Sequence, residues 1–160
     1  MRKHLRACAL VLACLAATAQ AEGFKAPLPS TYWLNLGGIT AHSEPGYSGQ
    51  NPALGIEARW STTWAAGAGV ALNSERRWSQ YLVGKFTPWR TGTPAGPVDM
   101  GALAGLANHY ARNDGNPIGV AAFLAELPTP ALRWSLMYVP KVRGLTASAA
   151  LTLSVSVRLP

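Results

Sequence analysis

Few of the 160 residues are charged, and those few are unevenly spread. Asp, Glu, Lys and Arg make up 13% of the chain, about half the share usual in soluble domains, which argues against a well-solvated surface. Only two cysteines occur, Cys8 and Cys14, so a disulfide framework or a thiolate metal site has almost nothing to build on. Beyond the first 25 positions there is no apolar run of the roughly 18 residues needed for a membrane-spanning helix. Phosphate-cradling glycine loops, metal-ligand spacings and nucleic-acid recognition modules are also missing, so no cofactor, metal or nucleic-acid partner is expected. Hydrophobic residues nevertheless reach 49% and mean hydropathy is +0.10. An abundance of apolar residues without long apolar runs leaves a soluble all-β protein or a membrane β-barrel.

The N-terminus reads as an export signal over residues 1–21. Arg2, Lys3 and Arg6 form a basic start, Ala9 to Ala17 an apolar stretch, and Ala19-Gln20-Ala21 a small-residue cleavage site. Cleavage before Glu22 takes both cysteines with it. It also leaves 11 of the 14 basic residues against 7 acidic ones, a net +4. Val11-Leu12-Ala13-Cys14 offers a second possibility, lipidation at Cys14. Residues 22–160 then form a single domain.

That domain alternates with the period of a strand that has two unlike faces. Ala149, Leu151, Leu153, Val155, Val157 and Leu159 interleave with Ala150, Thr152, Ser154, Ser156 and Arg158. Leu132, Trp134, Leu136 and Tyr138 alternate with Arg133 and Ser135, and Leu54, Ile56, Ala58 and Trp60 with Gly55, Glu57 and Arg59. The pattern predicts eight strands, 31–43, 53–60, 63–73, 78–89, 98–110, 118–127, 131–139 and 147–159, most long enough to cross a bilayer at a tilt. Gly37-Gly38 breaks the alternation in the first strand and predicts a bulge. Short turns at 61–62 and 128–130 alternate with longer loops at 44–51, 111–116 and 140–146, while 91–97 reads as one long turn on the short side. Tryptophans cluster near strand ends, where indole favours a lipid–water interface. The expected architecture is an eight-stranded antiparallel up-and-down β-barrel in the outer membrane. A greasy β-sandwich is the soluble alternative.

In such a barrel the first, third, fifth and seventh connections share a rim, which gathers His42, Asn73, Ser74, His109, Tyr110, Arg112, Lys141 and Arg143. A histidine beside a hydroxyl can serve acyl transfer as base and nucleophile or orienter. Small residues at Ala65, Gly67, Gly69 and Ala71 leave space inside the third strand. Arg76, Arg77, Arg112, Lys141 and Arg143 are candidate phosphate-binding groups, with Glu44, Glu75 and Asp114 as competing partners.

From Leu34 to Pro140 the chain resembles the outer-membrane lipid A palmitoyltransferases, the PagP family. Ile39-Thr40-Ala41-His42 is similar to that family's Ile-Thr-Trp-His. Asn73-Ser74 followed by Trp78 resembles its Asp-Ser pair and following tryptophan, Thr87-Pro88-Trp89-Arg90 its Ser-Thr-Trp-Arg, and Asn116-Pro117 through Met137-Tyr138-Val139-Pro140 its corresponding stretch. The resemblance implies transfer of a palmitoyl or similar chain from a phospholipid donor to lipid A by a monomeric enzyme of a Gram-negative outer membrane. It implies catalytic roles for His42, Asn73 and Ser74, an acyl chain held inside the upper barrel beside Gly67 and Gly69 with a chain-length limit at Gly84, and lateral lipid access near Pro117 and Pro140. Three departures stand out: Asn73 replaces an aspartate, Phe123 replaces a gate proline, and the stretch from Glu22 to Ser30, with Pro27 and Pro29, is too short for the family's N-terminal helix. A non-catalytic barrel with a structural or binding role is the alternative. A third reading is a lipid A deacylase, because His42-Ser43, Asn51-Pro52 and Glu57 resemble elements of the PagL barrels.

Overall fold

A computed structural model describes residues 27–110, 114–143, 146 and 148–160. The expected signal segment, Cys8, Cys14 and Arg112 therefore lie outside the described residues. Eight strands follow one another: β1 Thr31–His42, β2 Gln50–Arg59, β3 Trp64–Leu72, β4 Trp78–Thr93, β5 Gly96–Ala107, β6 Ile118–Pro128, β7 Leu132–Val139 and β8 Ala150–Arg158. Each pairs antiparallel with its neighbours, and β1 also pairs with β8, closing the barrel. No helix occurs among the described residues.

The strands form where alternation is cleanest, and the breaks in alternation become bulges. In β1 the register slips after Asn35, with Gly37 at φ 80° and its amide donating to Asn35 Oδ1 at 2.8 Å. A Cβ on Gly37 would lie 2.2 Å from the Asn51 carbonyl oxygen, so this position demands glycine for both conformation and space. A second slip, between Phe86 and Trp89, accommodates Pro88, which has no amide to give a ladder.

The stretch 91–97 is not the long turn expected from sequence. β4 and β5 run on as a paired hairpin to Thr93↔Gly96, with only Pro94 and Ala95 between them. Threonine, glycine and proline there suggest a loop, yet Arg90 and Asp99 bridge the two strands at 2.6 Å and hold the extension together. All three connections on this rim are short. The other rim carries the long connections, as the strand count requires.

The distribution of polarity is inside-out. The largest fully buried side chains are Arg133 and Glu126, whereas Leu54, Trp64, Trp89, Leu106 and Phe123 all point outward with more than half of their surface exposed. Most large apolar side chains lie on the outer parity and the charged ones on the inner, a pattern that fits a membrane barrel. Trp60, Trp64, Trp89 and Trp134 are exposed around the short-turn end, and Trp78 at the long-loop end. Trp33 departs from the expected interface position: it is buried in the lumen, with the Arg133 guanidinium 4.3 Å above its ring.

Candidate functional site

Two regions of the interior differ chemically. In the half nearer the short turns, Glu57 and Arg59 of β2, Glu126 of β6 and Arg133 of β7 converge with Lys85 of β4. Lys85 Nζ lies 2.7 Å from Glu57 and 2.8 Å from Glu126, Arg133 Nη1 lies 2.6 Å from Glu57, and Arg59 bonds both carboxylates. Ser135 adds a hydroxyl donor to Glu126. Mutual pairing of this kind is what permits charges in an interior. Sequence reading placed Glu57, Arg59 and Arg133 on the polar parity without identifying them as a cluster. The available signal was a charged residue at an inward position on several strands at once.

Toward the long loops the inward positions on β5, β6 and β7 become apolar, while Thr40, Ser79, Thr152 and Ser154 keep the other strands polar. Leu103 and Ala107 of β5 and Ala122 and Leu124 of β6 are buried, and Val120 and Met137 share their parity. Gly67 and Gly69 face the same interior from β3. The Tyr81 hydroxyl lies over Gly69 and Gly55, where a Cβ would meet it at 2.8 and 2.0 Å. Gly84 is different. Lys85 points inward, so Gly84 falls on the exposed outer parity, and a side chain there cannot measure a chain inside the lumen.

His42 ends β1 opposite Ala150 of β8, its ring packed against Tyr47 with centroids 5.1 Å apart. Nδ1 and Nε2 are both buried and neither has a hydrogen-bond partner. Asn73 and Ser74 begin the β3–β4 connection. This loop is tied to the His42 side by the Ser48 amide, which donates to the Ser74 carbonyl at 2.8 Å. The Asn73 side chain is committed elsewhere. Its Nδ2 donates to Ser79 Oγ and to the His109 carbonyl, while Oδ1 accepts from the amides of Glu75 and Arg77. Asn73 thus organises its own turn and makes no bond to His42. Nearby, burial, reinforced by the Glu75 carboxylate, pushes the Tyr110 phenol above its usual 10.0.

Pro117 and Pro140 flank a lateral discontinuity. The β6–β7 ladder runs only from Phe123↔Tyr138 to Pro128↔Arg133, whereas residues 118–122 pair with β5 and, among the described residues, have no partner on the β7 side. Phe123 sits at the lip of this gap, its ring stacked on Tyr138 at 6.5 Å. The basic candidates are dispersed over the rim: Arg76, Arg77 and Arg143 are exposed, and Lys141 pairs with Glu44 at 2.6 Å.

Among the described residues no three His, Cys, Asp or Glu side chains are grouped so as to hold a metal ion. No protein-family model matches the chain, and no curated protein matches it in sequence.

Proposed function

We propose that this chain is an integral outer-membrane barrel that moves a palmitoyl or similar acyl chain from a phospholipid to lipid A. The observation that carries this reading is the stretch 118–122, which pairs with β5 but, among the described residues, has no ladder partner on the β7 side, where Val120 and Ala122 present an apolar inner surface. A lipid alongside the barrel can pass a chain through that gap without first crossing water. The outer apolar face supports the membrane setting.

In the chemical step His42 is the general base. It takes the proton of the acceptor hydroxyl as that oxygen attacks the donor ester carbonyl, then returns it to the glycerol oxygen that departs. One ester bond breaks and one forms, with no cofactor. Both imidazole nitrogens are unengaged, which leaves the ring available for this exchange. Ser74 is the hydroxyl that orients the acceptor. Asn73 supports the site by shaping the turn that carries Ser74. Arg76, Arg77 and Arg143, exposed on the same rim, are the candidate partners of lipid phosphates, and Lys141 joins them only by leaving Glu44.

One observation favours a non-catalytic barrel instead: the Asn73 side chain is committed to its own turn, to Ser79 and to the His109 carbonyl, and gives His42 no orienting bond. Expression in a Gram-negative host lacking its own palmitoyltransferase, followed by mass spectrometry of lipid A, separates the readings. Transfer adds the mass of one acyl chain, and His42→Ala abolishes the addition. An unchanged spectrum from protein folded in the outer membrane establishes the non-catalytic barrel, and a His42-dependent mass loss establishes a deacylase.

A further inference from the structure

The cluster that fills the short-turn half of the lumen is unbalanced. It contains three cations, Arg59, Lys85 and Arg133, and two anions, Glu57 and Glu126, while the buried Asp99, the ladder partner of Glu126, is neutralised by its own pair with Arg90. Both carboxylates are already shared: Glu57 Oε1 accepts from Arg59 and Arg133 and Oε2 contacts Lys85, while Glu126 Oε1 accepts from Lys85 and Ser135 and Oε2 from Arg59. The far edge of Arg133 is left over. Its Nε and Nη2 are buried with no hydrogen-bond partner, in a residue only 1% exposed. Stacked against that guanidinium is Trp33, 5% exposed, whose indole Nε1 is likewise buried and unpartnered. Ser156, 2% exposed, is the ladder partner of Arg133 on one side and of Asn35 on the other, so its hydroxyl belongs to the same part of the wall.

We propose that Trp33 Nε1 and Arg133 Nε and Nη2 form a buried site for a small monovalent anion of the chloride class. Three donors on two stacked groups require an acceptor, and the surplus positive charge requires an anionic one. A water molecule would satisfy the donors but leave the charge unbalanced in a low-dielectric interior. Such an anion completes the polar plug that closes one end of the lumen. The site lies away from the His42 rim and does not depend on the acyl-transfer reading.

The test uses the folded barrel in detergent micelles, with chloride replacing gluconate at fixed ionic strength while the unfolding midpoint is followed. Binding to the folded state alone raises the midpoint by roughly 2 °C or more for each tenfold rise in chloride above its dissociation constant. Trp33→Phe keeps an aromatic ring over the guanidinium but removes one donor, and weakens the apparent chloride affinity about tenfold. Crystals grown in bromide show an anomalous peak beside Arg133 in the unmodified chain, a readout that stands even if the variant fails to fold. A midpoint indifferent to chloride, a dependence unchanged in Trp33→Phe, or a bromide-grown crystal with no peak at Arg133 overturns the proposal.

Discussion

At the scale of single residues, the division of labour between His42 and Asn73 decides what the rim can do. Asn73 spends its doubly accepting oxygen on the β3–β4 turn and its amide donors on Ser79 of β4 and the His109 carbonyl, so Asn73→Ala removes all four of these bonds. We expect that substitution to cost about 1–3 kcal/mol of stability, read as a lower urea midpoint. His42 makes no hydrogen bond, so His42→Ala removes chemistry without removing a structural bond: lipid A modification is lost while the urea midpoint moves by less than about 1 kcal/mol. A shared loss of folding in both variants would place His42 in the architecture instead. The sequence showed that these residues share a rim, because strand count alone puts the odd connections together. It could not show how Asn73 is bonded, because a side-chain amide bonding its own turn and one orienting a distant ring look alike in one dimension.

At the scale of elements, the strands were legible to within a few residues because the two faces of each differ so sharply in polarity. The β1 bulge was legible for the same reason: glycines coincide with a change of parity. Substituting Gly37→Ala places a Cβ against the Asn51 carbonyl at a positive φ. It should destabilise the barrel by more than about 1 kcal/mol, seen as loss of the folded, heat-modifiable band on gels. Residues 91–97 were misread because Gly92, Pro94, Gly96 and Pro97 carry turn signals that cross-strand pairing overrides. Gly84 illustrates a different limit. Matching a short segment to a family fixes residue type and spacing, whereas facing in or out depends on a parity that one bulge or one slipped position reverses. The five-residue charge cluster was not legible in one dimension because it draws on four strands, β2, β4, β6 and β7, that meet only when the sheet closes.

For the molecule as a whole, the proposed acyl transfer requires the outer surface to lie in hydrocarbon, since only then do the apolar exterior, the exposed tryptophans and the lateral gap act together. Leu136, 43% exposed on the outer face of β7, tests this locally. Leu136→Arg should cost about 2–4 kcal/mol if the position lies near the bilayer midplane. A face bathed in water would register about 0.5 kcal/mol or less. The unaltered chain provides the most direct measurement through its own indoles: tryptophan emission compared between vesicles with ordinary acyl chains and vesicles with brominated ones. Trp60, Trp64, Trp78, Trp89 and Trp134 face outward and Trp33 does not. A barrel embedded in lipid loses most of its emission to the bromines and keeps a residual signal from the lumen. Equal emission in the two kinds of vesicle would contradict a membrane-spanning barrel, and the proposed acyl transfer with it.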